Sequence, residues 1–474
     1  MTTQGAEFPK AATAALRDPR LQQSLTHLKD GFQVKRAAAV AASPLPFEQL
    51  REQGRAIRAA ALSRLPDLLL QFEQRVTAAG GYVHWAPDAQ AARSIITQIL
   101  KSRGARTVTK GKSMATEEIE LNAHLEANGI IPVETDLGEY IIQLRHERPS
   151  HIVAPAFHLR RTDVEASFRK EHQWLAPERS LEDRPRLVAE ARAVLRSRFE
   201  AADAGITGAN FLVAETGSAV IVTNEGNGDL TRLLPRTHIV VAGIDKTVAS
   251  LDDASILLRL LTRSATGQEI TAYVSIMSGP KRQEDADGPG EFHVVLLDNG
   301  RSDLLASPAA EVLLCIRCGA CMNHCPVYGA IGGHAYGAVY PGPLGAALDP
   351  GLDGLRQSYH LPNASSFCGR CEEVCPVKIP LTRIMRYWRD QAFEKHLGSS
   401  SLSMGLKAWA AVARSPALYR LATALVVRVL RRAGGKNPRL EKSRIFPGWF
   451  AVRDLAKPAA QSFQSQWRNQ RRQG

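Results

Sequence analysis

Seven cysteines lie in two groups between positions 315 and 375, and the rest of the chain contains none. The first group reads Cys315-Ile-Arg-Cys318-Gly-Ala-Cys321-Met-Asn-His-Cys325-Pro326, which is the C-x2-C-x2-C-x3-C-P run of bacterial ferredoxins. Three thiolates on such a tight loop reach three corners of one iron–sulfur cubane, while the fourth cysteine starts a helix and serves a second cluster. Pro326 suits a first helical turn, where no N–H donor is required, and Gly319 relieves crowding around the cluster.

The second group, Cys368-Gly-Arg-Cys371-Glu-Glu-Val-Cys375-Pro376, repeats the last three cysteines of the run and its proline. Ser365 stands where a leading cysteine would fall. The crossed ligation of two-cluster ferredoxins therefore predicts two [4Fe–4S] clusters. The first cluster would be held by Cys315, Cys318, Cys321 and Cys375. The second would be held by Cys325, Cys368 and Cys371, and its fourth ligand is either not a cysteine or absent.

Other uses of grouped cysteines fit less well. A zinc ribbon uses paired cysteines, but not a triple run that ends in Cys-Pro, and it does not need seven thiols. Catalytic thiols come singly or as one redox pair. His324 lies inside the first run, where a loop or helix-start residue is favoured over a cluster ligand.

The chain has 474 residues and a net charge of +13, which is concentrated near its end. Residues 381–474 contain 19 Lys and Arg against 4 Asp and Glu, a net charge of +15, so the preceding 380 residues carry about −2. Such a basic segment can face nucleic acid, an anionic membrane or an acidic protein. No helicase or nuclease motif is present, so we expect no nucleic-acid partner.

The sequence indicates a cytoplasmic protein. Its first ten residues lack the basic and apolar segments of a secretory signal. No window approaches the roughly 18 apolar residues of a membrane-spanning helix, since the best stretch, 421–430, is broken by Arg428. In a reducing compartment, grouped cysteines bind metal more often than they form disulfides.

Four segments differ in pattern. Residues 1–65 predict a helical arm that packs on the next domain, with interruptions at Asp18-Pro19 and at 43–46. Residues 66–300 alternate between helices and strands, which indicates a layered α/β domain with a mainly parallel sheet. Residues 301–396 form the two-cluster ferredoxin-like domain, which ends in a helix over 381–394. The basic helical tail comprises residues 397–474 and begins with a Ser/Gly linker at 398–401.

The α/β segment carries several strand signals and one clear helix, over 67–79. Runs of β-branched and apolar residues predict strands at 107–109, 151–154, 237–242, 270–276 and 292–297. The runs 211–214 and 219–222 predict a strand pair that turns at Thr216-Gly217.

Functional groups in the α/β segment are less specific than the cysteines. Lys110-Gly-Lys-Ser113 follows a predicted strand and could hold a carboxylate or phosphate where a helix opens, although a solvated turn is favoured. Glu215 and Glu225 flank Gly-rich turns and could act as a base or nucleophile, although a hydrogen-bonding role is favoured. No Rossmann fingerprint, flavin motif or Walker sequence is present. The sequence therefore assigns no catalytic residue and no organic redox cofactor.

The tail contains a predicted amphipathic helix between Pro416 and Arg432. Its apolar side comprises Leu418, Ala422, Leu425, Val426 and Val429, and its basic side comprises Arg420, Arg428 and Arg431. Such a helix suits docking on protein or on an anionic membrane surface. Docking on this protein or a partner subunit is favoured, with peripheral attachment to the inner face of the cell membrane as the secondary role.

Five further stretches are distinctive: Thr109-Lys-Gly-Lys-Ser-Met114, His151-Ile-Val-Ala-Pro-Ala-Phe-His158, Ala214-Glu-Thr-Gly-Ser-Ala219, Thr223-Asn-Glu-Gly-Asn-Gly-Asp-Leu230 and Tyr340-Pro-Gly-Pro-Leu-Gly345. Together with the seven cysteines, they resemble the lactate utilization protein B family, iron–sulfur subunits of bacterial L-lactate oxidation systems. The resemblance covers nearly the whole chain. Three rather than four cysteines in the second group agree with it.

The resemblance implies a lactate-utilization-type (LUD) α/β domain, similar in fold to sugar-phosphate isomerases and CoA transferases, followed by a two-cluster ferredoxin-like domain. It also implies two partner subunits, one with cysteine-rich repeats like those of heterodisulfide reductases and glycolate oxidases. Two hypotheses follow. The favoured one is an electron-transfer subunit that carries electrons as lactate becomes pyruvate. The alternative is an enzyme subunit whose α/β pocket itself binds and oxidises a 2-hydroxy acid.

Overall fold

The computed structural model describes residues 7–398, 400–440, 450 and 453–473. The chain divides into two compact units, Met1–Glu394 and Lys395–Gly474. The first unit contains the arm, the α/β domain and the cysteines, and the second contains the tail. The helix that ends the first unit spans Leu381–Glu394, as predicted.

The arm is helical and breaks at both predicted places. Its helices are Phe8–Arg17, Pro19–His27, a π-helical turn Leu28–Gln33, Val34–Ala41 and Phe47–Ser63. Asp18 ends the first helix and caps the second, because its carboxylate accepts hydrogen bonds from the N–H groups of Arg20 and Leu21 at 2.9 and 3.3 Å. Pro19 then occupies the first helical turn, where it removes no needed donor.

The arm packs on the α/β domain and also on the cysteine region. Gly54 lets the long arm helix approach closely, since a Cβ there would lie 2.3 Å from Leu260. The guanidinium of the buried Arg58 donates hydrogen bonds to backbone carbonyls of Thr247 (2.9 Å), in the α/β domain, and Leu313 (2.9 Å), just before the first cysteine. One arginine thus fastens the start of the cysteine run to the α/β domain.

The α/β domain contains ten strands. They are β1 Tyr82–Ala86, β2 Thr107–Lys110, β3 Ile131–Glu134, β4 Ala204–Thr207, β5 Phe211–Val213, β6 Ser218–Thr223, β7 Thr237–Gly243, β8 Thr247–Val248, β9 Tyr273–Met277 and β10 Glu291–Leu297. Its helices are Leu65–Ala78, Ala89–Ser102, Met114–Glu118, Leu121–Ala127, Leu137–Leu144, Arg161–Glu171, Arg184–Glu200, Asn227–Leu233 and Leu251–Ala265.

Six strands form a parallel sheet in the order β1-β10-β7-β4-β2-β3. Central strands are buried on both faces, as their continuous apolar runs require. All carboxyl ends lie on one edge, where ligands of open α/β sheets bind. The predicted α/β class and mainly parallel sheet are confirmed. A second, four-stranded sheet, β8-β5-β6-β9, includes the predicted antiparallel pair β5–β6.

The strand predicted at 151–154 is wrong. These residues form a buried loop, because the His151 side chain takes the N–H groups that a strand would use: its Nδ1 accepts from Val153 and Ala154 at 3.0 and 3.1 Å. Burial lowers the pKa of His151 to about 4, which keeps the ring neutral and able to accept. Smaller differences affect the strand predicted over 270–276, which begins at Tyr273, and the helix predicted over 67–79, which begins at Leu65.

The cysteine region is built from short helices. They are Arg301–Leu305, Ala310–Leu314, Ala320–Asn323, Tyr328–Ile331, His334–Tyr336, Gly342–Leu352, Leu355–Ser358, Arg370–Glu373 and Leu381–Glu394, of which the second and fifth are 3₁₀. The Gly/Pro-rich connection between the two cysteine groups is largely buried. Its helix Gly342–Leu352 receives a hydrogen bond from Trp388 Nε1 to Ala347 O at 2.9 Å, which joins it to the final helix.

The tail unit has helices Ser400–Ala413, Pro416–Ala433 and Phe463–Gln473 and a short antiparallel pair, Arg439–Leu440 with Leu455–Ala456. The amphipathic helix is therefore present where it was predicted. The linker predicted at 398–401 is shorter, since a helix starts at Ser400; position 399 lies outside the described residues. Within the described parts of the chain, no helix combines the length and apolar character needed to cross a bilayer.

Candidate iron–sulfur centre and adjoining pocket

The first cysteine group forms a tight loop against the α/β domain. Cys315 directly follows the 3₁₀-helix Ala310–Leu314, and Gly319 adopts a φ of +75° before the helix Ala320–Asn323. A Cβ at Gly319 would lie 3.2 Å from Val153 and 3.4 Å from His151, so the loop needs glycine for conformation and for space. The crowding that Gly319 relieves here is against the α/β domain, whereas the role predicted for it was beside the cluster.

Four cysteines line one small cavity. They are the predicted first set, Cys315, Cys318, Cys321 and Cys375. Apolar side chains of Ile316, Leu344 and Ile379 close the cavity around them. Burial raises the pKa of the Cys375 thiol to about 11, so a thiolate at this position needs a compensating cation, which a bound iron–sulfur cluster would supply. All seven cysteines are free and lie within the described residues.

The other three cysteines form a separate group. Burial raises the pKa of the Cys371 thiol to about 12. The charges of Cys325 and Cys368 contribute to this rise, so these three sulfur atoms lie near one another. Cys321 also lies within electrostatic reach of Cys371, which makes the two groups neighbours. Cys368 is exposed, whereas Cys371 is buried. In the first group Cys318 and Cys375 are buried and the other two are half-buried, so the second group is the more open one.

The two groups repeat the same backbone at an offset of 50 positions. Gly319 and Gly369 have φ angles of +75° and +79°, and each precedes a four-residue helix. Arg317 and Phe367 have φ angles of +59° and +54°.

Other parts of the sequence prediction need adjustment. Cys325 leads into the helix Tyr328–Ile331, but the helix after Cys375 begins only at Leu381. His324 lies in the turn that follows the helix Ala320–Asn323, which agrees with the loop position favoured for it, and its Nδ1 lies 2.9 Å from Ala320 O.

A cavity of about 600 Å³ lies at the carboxyl edge of the parallel sheet, directly beside the first cysteine loop. The loops after β2 and β4 form one wall, and the turn after β7 forms another. Arg317, from within the cysteine run, and Tyr340, from the connection between the groups, complete it. The pocket is therefore shared between the α/β domain and the iron–sulfur region.

Buried charges surround Asp245, which follows β7. Arg301 Nε lies 2.7 Å from Asp245 Oδ1, and Arg301 Nη2 lies 2.6 Å from Glu118 Oε1. Tyr340 OH donates to the same Glu118 oxygen. Burial alone would raise the pKa of Asp245, but Arg301 and then Arg317 outweigh it and hold that pKa well below its usual range. The Asp245 carboxylate is therefore ionised, and Arg301 pairs with both carboxylates.

Two further cations face the same end of the pocket. Arg317 Nη2 lies 3.5 Å from Asp245 Oδ2, and its guanidinium lies over the Tyr340 ring at 5.0 Å. Lys246 lines the pocket beside it. Burial, followed by the charge of Arg317, lowers the pKa of Lys246 to about 7.

The opposite end carries Lys112, Asp136 and Glu225. Lys112 Nζ donates to Val153 O at 2.6 Å, and Ser113 caps the helix Met114–Glu118. The favoured reading of Lys110–Ser113 as a solvated turn is wrong, because Lys110 is buried and its Nζ lies 2.7 Å from Glu134 Oε1. Burial, followed by Asp136, raises the pKa of Glu225. Glu215 lies outside the pocket, where it accepts from the Leu251 N–H at 3.3 Å, in the hydrogen-bonding role favoured for it.

Comparison with known proteins agrees with this architecture. Residues 69–297 match the LUD domain, 311–379 match the 4Fe-4S dicluster domain, and 394–472 match the C-terminal domain of lactate utilisation protein B. Lactate utilization protein B of Bacillus pumilus is 41% identical over 429 residues, 90% of each chain. The chain belongs to the lactate utilization protein B family. The Shouchella clausii member is 39% identical over 470 residues, 99% of this chain and 98% of its own.

One solved structure in the comparison is the crystal structure of a DUF162 family protein from Deinococcus radiodurans. It is 14% identical and covers 49% of this chain and 98% of its own, with a TM-score of 0.27.

Membership in the lactate utilization protein B family makes residues 311–379 an iron–sulfur domain. The donors fit this group, since thiolates are its ordinary ligands and four of them share one cavity. Sequence reasoning missed Arg317, Lys246 and Asp245. Of these three, only Arg317 could have been noticed in the sequence, because it lies inside the cysteine run. The run does not require an arginine at that position, so the residue did not stand out.

Proposed function

We propose that this chain is the iron–sulfur electron-transfer subunit of a bacterial L-lactate oxidation system. The observation that carries the proposal is the seven-cysteine arrangement in a chain whose curated relatives are named for lactate utilization. Iron–sulfur clusters accept and release single electrons when bound. In this proposal the chain carries electrons during lactate oxidation. The oxidation of lactate itself requires other subunits.

The proposed ligands are crossed between the two groups. Cys315, Cys318, Cys321 and Cys375 hold the first [4Fe–4S] cluster, which the shared cavity supports. Cys325, Cys368 and Cys371 hold the second, which their mutual electrostatic influence supports. Cys375 therefore serves the first cluster although it stands only four positions after Cys371.

Iron and sulfide analysis tests the two-cluster assignment. Protein purified without oxygen should contain about eight iron atoms per chain, as two cubanes require. A stable value near four, or zinc in place of iron, would contradict it. The measurement is independent of any partner protein.

The proposed partners are two other subunits of the system, one with cysteine-rich repeats. The tail supports this because the described part of its amphipathic helix leaves apolar side chains exposed, among them Leu418, Leu425 and Val429 at 52%, 59% and 54%. The proposed location is the cytoplasm, with contact at the inner face of the membrane secondary. Co-purification, with identification of any flavin-binding partner, tests the assignment.

The pocket beside the first cysteine loop favours one alternative, in which this subunit itself binds and oxidises a 2-hydroxy acid. Purified protein with lactate and a dye acceptor separates the two. Turnover by the isolated chain would support the alternative. Dye reduction only after the partner subunits are added would support the electron carrier.

A further inference from the structure

Arg317 is buried in the pocket wall with part of its guanidinium unused. Its side chain is 8% exposed and lines the pocket. Nη2 faces Asp245 and the guanidinium also lies within electrostatic reach of the Cys315 sulfur, but among the described residues Nε and Nη1 meet no acceptor with hydrogen-bond geometry. Buried N–H donors are normally paired, since an unpaired donor loses its hydration without compensation. The unused edge of Arg317 therefore indicates an anionic ligand in the pocket.

Neighbouring carboxylates do not accept hydrogen bonds from these unpaired N–H groups of Arg317. Arg301 occupies Asp245 Oδ1 at 2.7 Å and both oxygens of Glu118 at 2.6 and 2.9 Å. Only the longer 3.5 Å contact with Asp245 Oδ2 remains for Arg317. The stacked Tyr340 ring fixes the guanidinium plane without accepting its hydrogen bonds.

Lys246 supplies a second cation at the same end. It follows Asp245 in the turn after β7 and lines the pocket. Its amino group has no ion-pair partner within 4 Å in the described part of the chain, and a bound anion would favour its charged form. The two cations come from different elements, so their convergence is a property of the folded pocket. A planar guanidinium beside an ammonium matches a carboxylate, which the guanidinium can bind through two parallel hydrogen bonds.

We propose that Arg317 and Lys246 bind the carboxylate of a 2-hydroxy or 2-oxo acid at the end of the pocket beside Cys315 and Cys318. The class of acid rests on the proposed function, whereas the carboxylate follows from the two cations. The pocket of about 600 Å³ has the size of sites for much larger ligands than a three-carbon acid. Only the end beside the cysteine run is therefore assigned.

Anaerobic calorimetric titration of the iron-loaded protein with pyruvate tests the site. Arg317→Gln and Lys246→Gln should each weaken pyruvate binding about tenfold to a hundredfold, the range of a charge-assisted hydrogen bond. Pyruvate should also change the EPR spectrum of the reduced first cluster. If Arg317→Gln loses that cluster, Lys246→Gln decides the question.

Arg370→Gln is the matched control. Arg370 directly precedes Cys371 as Arg317 precedes Cys318, but its side chain is 46% exposed and pairs with Glu373. This variant should bind pyruvate like the wild type. Absence of pyruvate binding by wild-type protein with both clusters would overturn this inference alone, as would equal binding by Lys246→Gln. Phosphate binding as tightly as pyruvate would refute the carboxylate assignment, whereas missing iron would count against the proposed function.

An independent observation concerns the second cysteine group. The Arg317 N–H donates to Cys315 Sγ at 3.3 Å, and the Phe367 N–H donates to Ser365 Oγ at 3.2 Å. Together with the repeated φ angles, this puts Ser365 Oγ at the position that Cys315 Sγ has in the first group. Arg389 supports the same loop, because its Nη2 donates to Ser365 O at 3.1 Å and its guanidinium lies 4.0 Å from the Phe367 ring centre.

We infer that Ser365 Oγ is the fourth protein ligand of the second cluster. This inference also rests on the proposed clusters, and it is tested by spectroscopy rather than by turnover. Ser365→Ala protein should contain about seven iron atoms after mild ferricyanide oxidation and show a [3Fe–4S] EPR signal, because one corner of a cubane is unheld. Wild-type protein and Ser366→Ala, an exposed neighbour, should retain about eight.

Ser365→Cys completes the test. It recreates the four-cysteine run and should resist ferricyanide longer than the wild type. If Ser365→Ala keeps the iron content and EPR spectrum of the wild type, Ser365 is not a ligand. If wild-type protein never holds a second cluster, the two-cluster proposal fails instead.

Discussion

The first cysteine group lies against the α/β domain at Gly319, whereas the second is open to solvent at Cys368. A Cβ added at Gly319 would meet the loop 151–153, while one added at Gly369 would meet no heavy atom within 4 Å. The backbone is nevertheless the same in both, down to the left-handed residues before each glycine. Local hydrogen bonds therefore set the shape of the loop, and packing sets access to it.

The surroundings also differ in charge. Beside the first group lie Asp245, Arg301 and Arg317, all buried. Beside the second, Arg370 and Glu373 form a largely exposed pair, which contributes little to stability. Perturbing buried charges should therefore affect the first group far more than the second.

Cysteine substitutions should have the largest effect. Cys318→Ser and Cys371→Ser should damage different clusters, and Cys375→Ser should resemble Cys318→Ser, because Cys375 lines the cavity of the first group. EPR spectra of the reduced variants measure this. A Cys375→Ser spectrum that matches Cys371→Ser would refute the crossed assignment.

Asp245→Asn should have the second-largest effect. It removes the carboxylate that compensates buried Arg301 and Arg317, and breaking a buried pair from one side costs about 3–5 kcal/mol. The midpoint temperature of thermal unfolding should fall strongly. The first cluster should be lost before the second. Asp303→Asn, at an exposed position in the neighbouring helix, should cost less than about 1 kcal/mol. Equal loss of both clusters in Asp245→Asn would contradict the comparison.

The same residue gives a dependence on pH. The folded-state pKa of Asp245 lies below its unfolded value, so its contribution is fully present above about pH 4 and is lost as the pH falls toward the folded-state pKa. The stability difference between wild type and Asp245→Asn should therefore shrink with acidification below about pH 4. If the stability difference does not change with pH, Asp245 stabilises the fold through packing rather than through its charge.

The local chemistry of this molecule could be predicted, but the contacts between distant segments could not. The cysteine run fixes its own loop, because its φ angles and helix starts depend on residues a few positions apart. The β5–β6 pair and the helix Leu381–Glu394 were predicted for the same reason. The loop 151–154 was not, because its conformation depends on one histidine side chain that replaces strand hydrogen bonds.

The pocket could not be predicted from the sequence, because its residues come together only in the folded chain. Lys246 and Arg317 are 71 positions apart in the chain, and nothing local links the turn after β7 to the cysteine run. Arg58 brings them together by binding carbonyls beside both segments. Lys110 was misread as solvated because its partner, Glu134, lies on the adjacent strand β3.

Glycine substitutions should have a smaller effect that separates loop shape from packing. Gly319→Ala and Gly369→Ala should each cost about 1–2 kcal/mol, because both positions have left-handed backbone angles. Gly319→Ala should cost more, since its Cβ would lie 3.2 Å from Val153. Anaerobic thermal unfolding followed by absorbance measures both. If Gly369→Ala is the more damaging change, packing does not distinguish the two groups.

Removal of the tail should have the smallest effect on the clusters. The tail forms its own compact unit, and its amphipathic helix exposes Leu421 and Val426 at 70% and 55%. Deletion of residues 400–474 should therefore leave both EPR spectra unchanged. It should weaken association with the partner subunits, because an exposed apolar face gains most from being covered. Co-purification from cells measures the association, and sedimentation with anionic vesicles measures membrane binding. Unchanged co-purification together with lost vesicle binding would make the membrane, rather than a partner, the surface that the tail contacts.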